Sequence, residues 1–557
     1  MSKEKLSQIE GAKEESNYLR GTIREELKTS DPIFNSINVG LLKFSGTYQQ
    51  DNRDIRSGGE RHYQFMVRSR IPGGKVTYQQ MLAELDLCDK FGNGTLRVTD
   101  RQGFQIHGVL KTNLQETIRG INACKLSTMN ACGDVCRNFM CCPAPHKGSP
   151  VHAEMQKAAD ALAHHFRQRS GSYHEVWLQD GESSTLAYES GDEPIYLKAY
   201  LPRKFKFGIA LPEDNCIDVY THDLGLIAVV ENETIIGYNI LVGGGQGMTP
   251  AKKDTFPALG YRMAFIPADQ LIPACEAVVK VQRDFGNRVD RKYARLKYVL
   301  ANWGLPKFKA KVEEYYGAPL ADPHPADVTE VDDHIGWHEQ GDGKLFLGIN
   351  IENGRIKDEG DLQLKTGFRT LLAKYPLPLR LTALQGVILC DVEPAWKEDI
   401  ESILRTHGFK LADELSLARR YSISCPALPT CGLAVTESER VMPQLMDDIE
   451  AAMAQCGLAG ERITVHMTGC PNGCARPYTP DIGIVGKARG KYSIYLGGSP
   501  YGIRLCYLYK DMVLQEEIAK VLLPVLAQYR EQRHTSQESF GDFCHRVGKE
   551  GLVGGQA

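Results

Sequence analysis

The sequence predicts a mixed helix-and-strand fold of about three domains, built around a duplicated pair. Three observations carry this. At 557 residues the chain is longer than one hydrophobic core supports. Strand-like and helix-like patterns interleave along it. Long stretches of the first half also recur in the second.

The recurrence sets the order of elements. Leu96-Arg-Val-Thr-Asp-Arg-Gln-Gly-Phe-Gln-Ile-His-Gly108 resembles Leu379-Arg-Leu-Thr-Ala-Leu-Gln-Gly-Val-Ile-Leu-Cys-Asp391. Each follows a strand that ends in a turn, Met66–Gly74 in one copy and Leu347–Gly354 in the other. Helical segments follow, Asn113–Ile121 and Trp396–His407. Further on, Gly237-Tyr-Asn-Ile-Leu-Val-Gly-Gly-Gly245 matches Lys491-Tyr-Ser-Ile-Tyr-Leu-Gly-Gly-Ser499. A repeat this long means a duplicated domain pair rather than a solenoid. Tyr196–Leu211 reads as a strand. Val151–Arg169, Ala268–Phe285, Ser438–Gln455 and Leu514–Arg530 read as amphipathic helices, with Thr436 and Ser438 as caps of the third. Gln340–Lys344 and Ala321–Pro325 read as exposed connections, residues 1 to about 65 as a polar arm that wraps or docks, and Gly551–Ala557 as a frayed end.

Composition excludes several classes. An apolar share of 42% with 24% charged residues is that of a soluble globular protein. A net charge of −3 gives no bulk basic character for nucleic acid. Met1–Glu10 lacks the apolar stretch of a signal peptide, and no run approaches a membrane span. The expectation is a cytoplasmic protein whose 16 cysteines serve metals or packing rather than disulfides.

Two cysteine loops are the most specific feature. Cys425-Pro-Ala-Leu-Pro-Thr-Cys431 is a C-x5-C, and Cys470-Pro-Asn-Gly-Cys474 a C-x3-C. Four thiolates in two short loops suit a cubane iron–sulfur cluster. Proline and glycine stop either loop from continuing as helix or strand. Structural zinc prefers tighter pairs, and buried packing cysteines are the bland alternative. The first copy of the repeat holds no equivalent four-cysteine set.

The first copy holds cationic and polar side chains instead, Arg97, Arg101, Gln105 and His107, where the second keeps only an arginine, Arg380. Arg68 and Arg70 stand two apart on a strand and so face one side. Arg137 follows Cys132-Gly-Asp-Val-Cys136, and Arg203-Lys-Phe-Lys206 puts Lys204 and Lys206 on one strand face. A lone arginine is usually a solvated charge. Cations among apolar strand residues need a buried anion to balance them. One half is therefore expected to bind anions and the other the cluster, with the site between them.

These segments, with Glu15–Ile23, Tyr48–Arg56, Leu201–Lys206, Leu241–Gly245 and Asp284–Arg291, resemble the sirohaem- and [4Fe-4S]-containing sulfite and nitrite reductases almost end to end. The similarity is greatest to the assimilatory NADPH-type haemoprotein (beta) branch. The resemblance implies a three-domain α+β fold with an internal pseudo-twofold repeat and sirohaem at the domain junction. It divides the chain into an N-terminal arm (1–65) and duplicated ferredoxin-like halves packed as one domain (66–130 with 331–410). A substrate-cation and sirohaem domain (131–330) and a [4Fe-4S]/sirohaem domain (411–557) complete it. It implies that Cys425, Cys431, Cys470 and Cys474 bind the cubane and that Cys474 also bridges to the sirohaem iron. Arg68, Arg137, Lys204 and Lys206 would face substrate. Arg97, Arg101, Gln105, His107, Arg203 and Asn472 would lie against sirohaem.

The implied activity is six-electron reduction of sulfite to sulfide. The donor is an NADPH-dependent flavoprotein or ferredoxin, and neither nucleic acid nor membrane is a partner. Nitrite reduction to ammonia is the alternative within the family. Family members specific for nitrite carry Asn at the second lysine of the Lys-x-Lys pair, so Lys206 favours sulfite. A zinc-binding structural protein is the non-enzyme alternative. Two departures stand out. Cys136 precedes Arg137 where Asn is usual, in a segment that also holds Cys132, Cys141 and Cys142. Packing is the expected role of these thiols, and a redox or crosslinked role the alternative. Gly133-Asp-Val resembles ferredoxin-dependent members, which leaves the donor open.

Overall fold

The computed structural model describes residues 6–56, 58–179, 193–250 and 252–555. The first five residues of the expected arm and the last two of the expected frayed end lie outside these. The strands, in chain order, begin with β1 (Thr47–Asp51), β2 (Tyr63–Arg68), β3 (Lys75–Val76), β4 (Leu96–Val98) and β5 (Phe104–Val109). Next come β6 (Cys136–Cys141), β7 (Phe205–Ala210), β8 (Leu224–Glu231), β9 (Thr234–Val242) and β10 (Tyr261–Pro267). The second half supplies β11 (Gly336–Glu339), β12 (Leu345–Ile349), β13 (Arg355–Ile356), a small hairpin β14 (Asp358–Glu359) and β15 (Leu362–Gln363), β16 (Leu379–Leu381) and β17 (Val387–Val392). Last are β18 (Ser422–Ser424), β19 (Val465–Thr468), β20 (Ile482–Ala488), β21 (Lys491–Leu496) and β22 (Tyr507–Leu514).

These form four five-stranded sheets in two matching pairs, an α+β fold with a pseudo-twofold repeat. The first pair has orders β1-β2-β5-β4-β13 and β11-β12-β17-β16-β3. Each sheet therefore takes its last strand from the other half. The exchange needs glycine where the chain crosses over. Gly74 and Gly354 have φ of +72° and +73°, and a Cβ there would strike the carbonyl oxygens of Leu381 and Val98. These are the turn glycines of the sequence repeat. The second pair has orders β10-β9-β8-β7-β6 and β18-β19-β20-β21-β22, each with two parallel and two antiparallel pairings. Register aligns Cys141, Ile209, Leu226 and Ile240 across one sheet, and Ser424, Met467, Ile484 and Ile494 across the other. Ile240 and Ile494 hold the same place in the Gly237/Lys491 repeat.

Several boundaries differ from expectation. Only Phe205–Ala210 of Tyr196–Leu211 is strand. The expected helices begin or end within a few residues of Val151–His165, Leu271–Phe285, Met442–Gln455 and Ile518–Gln532. Thr436 and Ser438 cap no helix. Their hydroxyls bond Tyr492 Oη at 3.1 Å and the Met467 carbonyl at 2.9 Å, because tertiary partners outcompete the helix end. Gln340 is fully buried, though it lies in an expected exposed connection. The segment expected as an arm contributes β1 to the first sheet. Its Lys13 is buried, 2.6 Å from Glu10 and 3.6 Å from Asp134. One large core spans Leu19 to Leu411, and a second lies under the sheet β18–β22.

Candidate active site

All fourteen side chains singled out as site residues line one cavity of about 580 Å³. The β4–β5 hairpin brings Arg97, Arg101, Gln105 and His107, and the end of β2 brings Arg68. The beginnings of the parallel strands β6 and β7 bring Arg137 and Arg203, Lys204 and Lys206. The loops that leave β18 and β19 bring Cys425 and Cys431, then Cys470, Asn472 and Cys474. Loops at strand ends can hold side chains that a regular ladder would turn away.

Ten of the lining residues are Lys or Arg and two are Asp, within a chain of net charge −3. Some of these cations are already paired. Arg97 bonds Glu439 and donates to the Ser424 carbonyl at 2.8 Å. Arg295 grips Asp223 at 2.8 Å with two nitrogens, and Arg291 grips Asp134 at 2.7 and 3.1 Å. Burial opposes it, yet Arg291 and Lys13 hold the Asp134 carboxyl well below the usual carboxylate range. Among the described residues Arg68, Arg101 and Arg137 have no carboxylate at ion-pair distance, and Arg203 has only a long one. Arg101 donates only to the carbonyls of Asn138 and Phe207, and Arg68 to Cys132 Sγ at 3.0 Å. The Gln105 amide, with its oxygen turned to Arg68, accepts from Nε at 3.0 Å. Arg137 donates to the Gly133 carbonyl at 3.1 Å, and Arg203 lies 3.9 Å from Asp134.

Lys204 and Lys206 are half-buried because they face the cavity, and neither ammonium has a hydrogen bond or ion pair among the described residues. Burial, then Arg101, pushes Lys206 down to about 7. Burial, then Arg203, pushes Lys204 well below the ordinary lysine value. Burial also lowers Arg101 to about 9 and Arg203 to about 10. His107 is held neutral by burial and by Arg355. Cations left this way ask for an anion.

The four cysteines line the same cavity. Burial, with Cys474 next, raises the thiols of Cys425, Cys431 and Cys470, the last to about 11. Cys474 is exposed to the cavity. Gly469 N–H donates to Cys425 Sγ at 3.4 Å and Asn472 Nδ2 to Cys470 Sγ at 3.5 Å, contacts that favour thiolates.

Sequence reading missed several residues in and behind this cavity. Arg53 donates to the carbonyls of Pro429 (3.2 Å), Ala434 (3.0 Å) and Cys431, and so clamps the first cysteine loop. Lys43, Tyr48, Arg291 and Arg295 also line the cavity. The four-residue spacing of Arg291 and Arg295 was the available signal. Arg70 does not reach the site. β2 ends at Arg68, and Arg70 donates to the Ala163 carbonyl at 3.0 Å over the Phe139 ring.

Fold and site define a redox enzyme built around anionic and iron–sulfur groups. The nitrite and sulphite reductase 4Fe-4S domain profile matches residues 158–320, and the ferredoxin-like half-domain profile matches 58–124 and 338–407. The sulfite reductase [NADPH] hemoprotein beta-component of Staphylococcus haemolyticus is 44% identical, over 99% of this chain and 97% of its own length. The sulfite reductase [ferredoxin] of Synechococcus elongatus is 42% identical, over 99% and 90%. The NirA protein of Mycobacterium tuberculosis has the same fold, with a TM-score of 0.81, 24% identity and 98% coverage of both chains. The chain belongs to the nitrite and sulphite reductase family. Its cofactors are sirohaem and a [4Fe-4S] cluster, and the residues present fit both. Unpaired cations suit a polycarboxylate macrocycle, and four thiols at one wall suit a cubane.

Proposed function

We propose that this chain is the haemoprotein of an assimilatory sulfite reductase and reduces sulfite to sulfide. The observation that carries the reading is the pair of cavity-facing ammoniums, Lys204 and Lys206, left without an anionic partner beside Arg68, Arg101 and Arg137. Relatives named as sulfite reductases over the whole chain length support it. In this reading Arg68, Arg137, Lys204 and Lys206 hold the sulfite oxygens. Arg97, Arg101, Arg203, Gln105, His107 and Asn472 lie against the macrocycle, with Arg97 acting chiefly through Glu439. Cys425, Cys431, Cys470 and Cys474 would hold the cluster, and Cys474 is the one of the four that is exposed in the cavity. When bound, the two groups supply the iron that takes sulfur and the electrons, delivered singly.

The protein's own work is charge and protons. Sulfite gains six electrons and loses three oxygens as water. Each departing oxygen needs protons at a position where a cation already holds it. Lys206 Nζ, near 7, can hold a proton and release it at neutral pH, whereas the guanidiniums fix orientation. The relatives' names divide the donor between NADPH and ferredoxin, and a cytosolic location belongs to this reading, supported by the cysteines that stand free among the described residues.

Steady-state reduction of sulfite and nitrite by reduced methyl viologen tests the assignment, with NADPH plus a flavoprotein and reduced ferredoxin run in parallel. The expected result is a higher kcat/KM for sulfite, with sulfide as product. A preference for nitrite would move the chain to the other branch of the family.

A further inference from the structure

Outside the lining of that cavity, four buried side chains converge: Cys142, Asp214, Cys216 and His334. Their ligand atoms all lie within 4.8 Å of one another. His334 Nε2 is 3.1 Å from Asp214 Oδ2 and 3.5 Å from Cys142 Sγ. The Asp214 carboxylate is split in its duties. Oδ1 accepts from the backbone N–H of Cys216 at 3.0 Å and of Asp332 at 3.3 Å. Oδ2 is buried and faces the imidazole. On the far side of the ring, Nδ1 faces Asp332 Oδ2 at 3.5 Å. A carboxylate behind the ring is how metal-ligating imidazoles are commonly oriented.

The position is not arbitrary. Cys142 follows the last residue of β6 as Cys425 follows the last residue of β18. Those last residues, Cys141 and Ser424, pair with Ile209 and Met467. Cys216 stands as far beyond Ile209 as Cys474 stands beyond Met467. The glutamines of the sequence repeat mark the same equivalence. The Gln102 side chain donates to the Cys141 carbonyl at 2.8 Å and accepts its N–H at 3.2 Å. The Gln385 side chain does the same to Ser424, at 2.8 and 3.2 Å. The four-residue group thus occupies the pseudo-twofold counterpart of the iron–sulfur loops. The first copy still holds no four-cysteine set; at the equivalent place two of its cysteines meet an aspartate and His334 instead.

We propose that Cys142, Cys216, His334 and Asp214 form a second, structural metal site that takes one zinc ion. Two thiolates, an imidazole and a carboxylate are borderline-soft donors, which favour zinc over magnesium or calcium. Bonds of about 2.0–2.3 Å set tetrahedral ligand atoms roughly 3.3–3.8 Å apart, close to the spacings here. Binding releases to solvent the two thiol protons and the imidazole proton that Asp214 favours on His334, and involves no change of oxidation state. Four ligands from the protein leave no open position, so the ion holds structure rather than substrate. It ties the ends of β6 and β7, whose beginnings carry Arg137 and Lys206, to the segment that enters the second half. That segment is also held by Arg420, which grips Asp333 at 2.8 and 2.7 Å. The inference does not depend on which oxyanion the enzyme reduces.

The test is elemental analysis of the untagged, full-length holoenzyme from zinc-supplemented cells, with zinc and iron counted per chain and zinc K-edge absorption recorded. One zinc per chain is expected, with two sulfur neighbours at about 2.3 Å and two nitrogen or oxygen neighbours at about 2.0–2.1 Å. Cys216→Ser should lower zinc at least tenfold and leave iron unchanged. Four sulfur neighbours would put the zinc in the cluster loops and overturn the proposal. So would zinc below a tenth per chain, whether mass spectrometry then finds Cys142 and Cys216 as free thiols or as a disulfide. If Cys216→Ser does not fold, the wild-type count and spectrum decide alone.

Discussion

Lys206 concentrates the chemistry of the site in one atom. Among the described residues it is a cation without an ion pair, and it stands among other cations. Sulfite carries three oxygens and up to two charges, so it should gain more from Lys206 than nitrite does. One charge-assisted hydrogen bond is worth about 1.5–3 kcal/mol, or roughly ten- to hundred-fold. Lys206→Asn should lower kcat/KM for sulfite by that factor and spare nitrite, at unchanged sirohaem content. An unchanged ratio of the two rates at full occupancy would refute the role. A pH effect follows from the same group. Its folded value, about 7, lies below the unfolded 10.5. The unfolded chain therefore binds more protons between those values, and stability rises with pH across that window. The cost is complete below 7. In cofactor-free protein, urea midpoints from pH 7 to 9 should rise more steeply for wild type than for Lys206→Met, and equal slopes would contradict the assignment.

At the scale of elements, the cysteine loops depend on a distant clamp. Arg53 reaches three carbonyls of the first loop, two of them at 3.2 and 3.0 Å. Arg440, at the end of that region, pairs with the neighbouring Asp54. Arg53→Ala leaves those carbonyls without their donor and should cost about 1.5–3 kcal/mol locally. The expected readout is faster iron loss during dialysis against a chelator, with the far-ultraviolet spectrum intact. Retention equal to wild type would mean that the loop holds its own shape. Cys474→Ser tests the other loop. It should remove the electronic coupling between cluster and sirohaem and most of the turnover, and native spectra with full turnover would reject the bridge.

For the whole molecule, the N-terminal segment and the exchanged strands make one unit of what the repeat suggests are two. Glu10 and Lys13 are buried, and Arg288 ties Glu10 to the carbonyls of Ala199 (3.1 Å) and Tyr200 (2.6 Å). Gln8 and Ile9 line the cavity itself. Breaking such a buried ion-pair group typically costs about 3–5 kcal/mol. Deleting residues 1–40 should therefore depress viologen-driven and donor-driven turnover alike and lower the melting temperature. Loss confined to the physiological donor would return the segment to a docking role.

The cysteine loops and cationic side chains that line the cavity, and the duplication, were legible in the sequence because each lies in a short segment. Spacing there fixes which side chains can meet, and a strand or tight loop preserves that order in space. Boundaries were less legible where tertiary partners replaced local ones, as Tyr492 and Met467 did for Thr436 and Ser438. Arg70 shows the limit of strand periodicity, which ends where the ladder ends. Other features were decided only by the folded chain. The exchange of β3 and β13, the Arg53 clamp and the group of Cys142, Asp214, Cys216 and His334 each join residues far apart in sequence. No local period encodes such meetings. They arise when two copies of one pattern pack about a pseudo-twofold axis, which brings the end of a strand in one half against the chain that enters the other.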